Sequence, residues 1–234
     1  EKRYRIVAWN RSLGPRREAW KLGAEVSKAL CGVCERLQTP RLVWLMLPWQ
    51  VVDDVLTELL PHLERGDTVI DGGNSFYKHS MRRASFLARR GIHFLDVGVS
   101  GGPSGARNGA CLMIGGGRRI FKKYEELFED LSYSNSHSYI RTNVGMRAEP
   151  RRAGSYPYVG KSGAGHFVKM VHNGIEYGMM QALGEGFEVL KQSRFRLNLK
   201  KIAELYNQGS VIESRLVGWL AKAFKEYGEN LKDI

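Results

Sequence analysis

Lys169, His172, Asn173 and Glu176 fall inside the stretch Gly165–Tyr177, which reads GHFVKMVHNGIEY. On a helix, residues three, four and seven apart share a face. The four therefore stack as one polar stripe, with Tyr177 at its edge, while Val168, Val171 and Ile175 point the other way. Further along, the stripe turns apolar at Met180, Leu183 and Phe187. A solvated face stays polar along its length, so a stripe polar for only two turns marks a local pocket. An amine and a carboxyl group beside an amide and an imidazole are equipped for general acid/base chemistry on an anionic substrate. The alternative is a surface patch with an i,i+7 Lys/Glu pair and Ser162 as helix cap.

Three further candidates are short loops that follow apolar runs. They are Asn10-Arg11-Ser12, Asp71-Gly72-Gly73-Asn74-Ser75 and Ser100-Gly101-Gly102. Glycine lets backbone N–H groups approach a ligand closely, which suits phosphates and carboxylates. Ligands of open parallel sheets bind at the carboxyl ends of strands, and these loops sit at such ends.

The elements needed to position them are legible as a pattern. Arg5–Trp9, Leu42–Leu47, Thr68–Asp71, Ile92–Val97 and Ala110–Ile114 read as strands. The continuous apolar run Leu42–Leu47 is typical of a strand buried on both faces of a parallel sheet. Helices are expected around residues 16–30, from Val51 to Leu60, from the 76–90 region, and over 119–131. Strands alternating with helices imply an α/β, doubly wound, Rossmann-like parallel sheet. From Ser132 to Pro157 the pattern dissolves, and beyond Pro157 helical periodicity dominates. This places a dinucleotide-binding domain at residues 1–160 and an all-α domain at 161–234.

The chain has 234 residues and a net charge of +12. The basic residues cluster at Arg3–Arg17, at Arg141–Arg152 and at Lys191–Lys201. Such a charge suits nucleic acid or phosphorylated small molecules. Aromatic residues do not interleave these clusters as on an RNA-stacking surface, so nucleic acid is the less expected partner and most of the clusters read as solvated faces. The longest apolar run, ended by Pro48, is too short to span a bilayer. No signal peptide opens the chain, so a cytoplasmic location is expected. Cys31 and Cys34 form a lone CxxC with no second ligand pair. Zinc is not expected, and two reduced thiols on a helix are.

Asp71–Ser75, Val99-Ser100-Gly101-Gly102 and the whole Gly165–Tyr177 stretch resemble the decarboxylating 6-phosphogluconate dehydrogenases. The details Val43–Met46, Ile92–Gly98, Cys111–Gly116 and Gly209–Ile212 resemble the shorter-chain branch. The resemblance implies oxidation and decarboxylation of 6-phosphogluconate to ribulose 5-phosphate in the pentose phosphate pathway, without a metal. It implies Lys169 as the acid/base lysine and Glu176 as the acid that protonates the enediol carbon. Asn74, Ser100, Gly101, Gly102, His172, Asn173 and Tyr177 match substrate contacts. Asn10, Arg11, Ser12, Met46, Leu47 and Pro48, with Asn74 again, match cofactor contacts. Asn10-Arg11-Ser12 offers a cation and no acid, which favours NADP, although the branch includes NAD users.

Measured against that family, the glycine-rich pyrophosphate turn and the last helices are missing, and residues 132–156 fit poorly. The expectation is therefore a chain shortened at both ends and poorly active alone, from a parent that is a homo-oligomer. Rival expectations are a β-hydroxyacid dehydrogenase that does not decarboxylate, an inactive remnant that keeps the fold, and a basic nucleic-acid binder.

Overall fold

The computed structural model describes residues 4–133 and 154–231. The chain divides into two compact units, Glu1–Met170 and Val171–Ile234.

The first unit begins with β1 (Val7–Ala8), α1 (Leu13–Lys21), β2 (Glu25–Val26) and α2 (Cys31–Arg36). β1 and β2 pair in parallel. The expected helix over 16–30 is thus split. Gly23, at φ +90°, turns the chain out of α1, and Glu25-Val26 then pairs with Val7-Ala8. Cys31 and Cys34 are free thiols on α2.

The main sheet has the order β3-β4-β5-β6-β7. Its strands are β3 (Leu42–Leu45), β4 (Thr68–Asp71), β5 (His93–Ser100), β6 (Cys111–Gly116) and β7 (Tyr158–Gly160). β3, β4 and β5 run parallel, joined through α3 (Val52–Leu59) and α4 (Tyr77–Ala88). All four residues of β4 are buried, as helices on both faces require. Two apolar clusters fill the unit. One joins Val43, Leu45, Val52, Leu59 and Leu87, and the other joins Ile70, Leu95, Ile114, Phe121 and Phe128.

β6 departs from the parallel pattern and runs antiparallel to β5. A parallel return needs a crossover of a dozen or more residues. Here residues 101–110 hold only the short α5 (Gly102–Asn108). The helix expected over 119–131 breaks at Tyr124 into α6 (Arg118–Lys123) and α7 (Glu125–Leu131). The basic block Arg141–Arg152 and most of 132–156 lie outside the described residues.

The division between the two units falls inside α8 (Ala164–Gln192). The second unit then contains α9 (Leu199–Tyr206) and α10 (Arg215–Tyr227), held by a small core of Phe187, Leu199, Ala203 and Phe224. Asn198 and Ser214 cap these two helices by accepting the N–H of Lys201 and Val217. No described helix is long and apolar enough to cross a membrane.

Candidate active site

Asp71 ends β4 and is fully buried. Its Oδ1 accepts the Gly73 N–H at 3.1 Å, and its Oδ2 accepts the Ser75 hydroxyl at 2.8 Å. These bonds fold Gly72–Ser75 into a tight loop that leaves Asn74 exposed between its two anchored neighbours. The loop is glycine-rich for a steric reason. A Cβ at Gly72 would lie 2.3 Å from the Trp44 indole nitrogen and 2.7 Å from the Met46 sulfur. A Cβ at Gly73 would lie 2.5 Å from the Leu47 carbonyl oxygen. The parallel register Leu45↔Asp71 places these strand ends side by side. The structure thus brings Met46 and Leu47 against the Asn74 loop, and Met46, Pro48 and Asn74 all face solvent.

The loop after β5 contains Ser100, Gly101 and Gly102. Gly101 and Gly102 adopt φ of +148° and +55°, which side-chain-bearing residues rarely occupy. A Cβ at Gly101 would also lie 2.8 Å from the Gly105 Cα. Lys169 belongs to this neighbourhood. A Cβ at Gly98, near the end of β5, would lie 2.5 Å from the Lys169 Cβ and 2.9 Å from the Gly165 carbonyl oxygen. The start of α8 therefore rests directly on β5, with the lysine stem over Gly98 and just ahead of Ser100–Gly102. Lys169 is half-buried there.

Asp96 holds that helix start in place. The carboxyl group is fully buried on β5 and accepts the Gly163 N–H at 2.7 Å and the His166 N–H at 3.0 Å. It satisfies two of the amides that a helix N-terminus leaves without partners, and its charge suits the positive end of the helix dipole. The cap is thus supplied from the sheet, where the local alternative considered from sequence was Ser162. Gly165 completes the seat, since a Cβ there would lie 2.3 Å from the Asp96 carbonyl oxygen.

The loop after β1 is held by its own side chains. The Asn10 Oδ1 accepts the Ser12 N–H at 2.8 Å. Arg16 donates to the Asn10 carbonyl and, at 3.1 Å, to the Lys28 carbonyl. Arg11 is exposed, and among the described residues its guanidinium has no hydrogen bond or ion pair.

In the second unit, the His172 Nδ1 lies 3.2 Å from the Asn173 Oδ1 and 3.6 Å from the Glu176 Oε2. The imidazole, amide and carboxyl groups thus meet on one helical surface, and all three residues are half-buried. Tyr177 is 70 % exposed. Val168, Val171 and Ile175, expected on an apolar side of the helix, are exposed as well. No group of three or more His, Cys, Asp or Glu that could hold a metal occurs among the described residues.

Asp96, Gly98, Ser80, Arg83 and His166 were not among the residues expected from the sequence. The one visible signal was Gly98, a glycine interrupting a β-branched strand, which often marks a close backbone approach. An isolated Asp inside that strand looks like any other polar residue until the helix it caps is in place.

A mostly parallel α/β sheet with glycine-rich loops at its strand ends, followed by a long helix, is a dinucleotide-binding architecture. Residues 1–142 match the family model described as the NAD binding domain of 6-phosphogluconate dehydrogenase, and residues 165–195 match that family's C-terminal domain. The chain belongs to the 6-phosphogluconate dehydrogenase family. It is 41 % identical over 224 residues to the Bacillus subtilis YqeC protein, covering 96 % of this chain and 69 % of that one. It is 37 % identical over 232 residues to the NAD(+)-dependent, decarboxylating 6-phosphogluconate dehydrogenase of Haloferax volcanii, covering 99 % of this chain and 71 % of that one. Among solved structures, Plasmodium falciparum 6-phosphogluconate dehydrogenase superposes with a TM-score of 0.77 at 30 % identity. That match covers 95 % of this chain and 47 % of the Plasmodium chain, so the present chain spans about half of it.

Proposed function

We propose that the protein oxidises 6-phosphogluconate and releases its carboxyl group as carbon dioxide, forming ribulose 5-phosphate, with NADP as hydride acceptor. The observation that carries this reading is the seating of Lys169 on Gly98, beside the Ser100–Gly102 loop. The stem of the lysine that bears the one amine of the motif thus rests near the carboxyl end of β5, the edge where ligands of this architecture bind.

The residues at the strand ends fit a nicotinamide dinucleotide. Met46 offers an apolar surface, Asn74 a hydrogen-bonding amide, and Arg11 an exposed cation for a 2′-phosphate. When bound, that cofactor takes up a hydride. The Lys169 amine accepts the proton of the substrate's C3 hydroxyl as the hydride departs from C3, leaving a 3-keto acid. The carbon–carbon bond to the carboxylate then breaks, and its electron pair moves onto the new carbonyl. The Lys169 ammonium stabilises that oxygen and protonates it, giving an enediol. Glu176 protonates the enediol carbon while Lys169 takes back the hydroxyl proton, and the ketone results. Of the groups that the resemblance assigns to the sugar acid, Asn74 and the backbone N–H groups of Ser100–Gly102 belong to the first unit, and His172, Asn173 and Tyr177 to the second.

The test is single turnover at stoichiometric enzyme, following reduced nicotinamide by absorbance and carbon dioxide by trapping. Equal yields of both are expected. Hydride transfer without carbon dioxide would instead establish a β-hydroxyacid dehydrogenase, and neither product would establish an inactive remnant. In the same assay, Lys169→Met should still bind substrate yet lose ~10⁴-fold or more in rate, because general acid/base groups contribute ~10²–10⁴-fold per step and this lysine serves in several.

A further inference from the structure

Arg83 lies on α4, is only 3 % exposed, and has no place among the ligand contacts above. Burying a guanidinium is costly unless every donor is satisfied and a counter-charge is present. Here Nε donates to the Asp53 Oδ1 at 2.8 Å, and Nη1 donates to the Asp71 Oδ2 at 3.0 Å and to the Ser75 hydroxyl at 3.2 Å. Nη2 donates to the Trp49 carbonyl at 3.4 Å. Asp71 in turn holds Gly73 and Ser75, the two neighbours of Asn74. Trp49 directly follows the Met46–Pro48 turn. One side chain therefore fastens both loops at the ends of β3 and β4.

One turn earlier on the same face of α4, Ser80 is fully buried, and its hydroxyl shares a 2.7 Å hydrogen bond with the Nδ1 of buried His166. His166 precedes Lys169 by one turn of α8. The strand register adds a second link. Asp71 and Asp96 are direct neighbours across β4 and β5, both fully buried. Two adjacent buried carboxyl groups repel unless each has its own positive partner. Arg83 serves Asp71, and the start of α8 serves Asp96.

We propose that Arg83 and Ser80 are positioning residues, which from one face of α4 set the Asn74 loop and the Lys169 end of α8 in mutual register and so tune affinity for the phosphorylated sugar acid. This rests on the proposed function for the identity of the ligand. A purely structural ion pair would not need this shape. An arginine fork meets four partners in fixed directions, whereas a lysine ammonium offers one point charge and three donors. Arg83→Lys therefore keeps the charge and removes most of the directed bonds.

The experiment compares the wild-type chain with Arg83→Lys, Arg83→Met and Ser80→Ala. It measures 6-phosphogluconate affinity by calorimetry, amide hydrogen exchange residue by residue, and melting temperature. Arg83→Lys should weaken binding roughly 10-fold or more, on the scale at which small misplacements of a site are felt. The Gly73 and Asn74 amides should exchange at least ~10-fold faster while Val69 and Ile70 of β4 stay protected, the signature of local opening. Ser80→Ala should weaken binding and speed exchange at the start of α8, leaving Gly73 unchanged. Should Arg83→Met fail to fold, the other two variants decide. Unchanged affinity and unchanged loop exchange in Arg83→Lys, with only a lower melting temperature, would overturn the proposal. If the wild-type chain binds no sugar phosphate, the proposed function falls, and the loop exchange alone then decides: faster exchange in Arg83→Lys sustains the positioning role and unchanged exchange ends it.

Discussion

Replacing Gly98 with alanine tests the central geometric claim, that β5 seats the turn of α8 bearing Lys169, the lysine proposed as acid/base group. The added methyl carbon would stand 2.5 Å from the Lys169 Cβ, 3.2 Å from its Cγ and 2.9 Å from the Gly165 carbonyl oxygen. Carbon atoms rest at about 3.5–4.0 Å, so the start of α8 must retreat by roughly 1–1.5 Å. It cannot do so freely. Asp96 holds the Gly163 and His166 amides, and Gly165 is wedged against the carbonyl oxygens of Asp96 and Met113. Overpacking of this kind costs about 1–3 kcal/mol. For a chain of this size each kcal/mol lowers the melting temperature by about 2–4 °C. A misplacement of about 1 Å at a reacting group can remove ~10²-fold of rate. Gly98→Ala should therefore lose ~10²-fold in single-turnover rate with a melting temperature a few degrees lower. Gly14→Ala is the control, because no atom lies within 4 Å of its Cβ position. It should be neutral or stabilising by roughly 0.5–1 kcal/mol. A Gly98→Ala protein with wild-type rate and melting temperature would refute the seat of Lys169 on β5.

Glu176→Gln preserves shape but removes the carboxyl proton, so carbon dioxide release should outrun ketone formation, and isotope exchange at the product carbon should fall ~10²-fold or more; normal exchange would assign the proton donor elsewhere. Arg11→Ala should weaken NADP by about 1.5–3 kcal/mol and leave NAD nearly unchanged, since only the 2′-phosphate gives the guanidinium a charge-assisted bond; equal losses, read by fluorescence titration, would make Arg11 structural. Burial pushes the Cys34 thiol above its ordinary range, and only the thiolate reacts. A thiol reagent at pH 8 should therefore label the partly exposed Cys31 and Cys111 first, with Cys34 following only on unfolding; equal labelling rates by mass spectrometry would contradict the packing of α2.

Local chemistry fixed a large part of the architecture in advance. The run Leu42–Leu47 reads as a strand buried in a parallel sheet, because it is short, has no polar face and stops at Pro48, and Leu42–Leu45 form β3. The motifs Asp71–Ser75, Val99–Gly102 and Gly165–Tyr177 carried the family resemblance, because each is a contiguous stretch that can be read without its surroundings. The direction of β6 was not legible in that way, since it depends on how far the chain travels between β5 and β6 rather than on the residues of β6. The break at Tyr124 and the short β1–β2 pair are likewise set by what the chain packs against.

The residues that hold the site together belong to the same class. Asp96 accepts the N–H of Gly163, 67 residues later and just ahead of α8. Ser80 meets His166 across 86 positions, and Arg83 gathers Asp53 and Asp71 from two different elements. The sequence by itself determined which groups could react and bind, because spacing along one helix or within one loop is a local property. Only the tertiary structure decided how those groups are held. A buried charge finds its partner through space, and no pattern along the chain records a pairing made only when strand, helix and loop have come together.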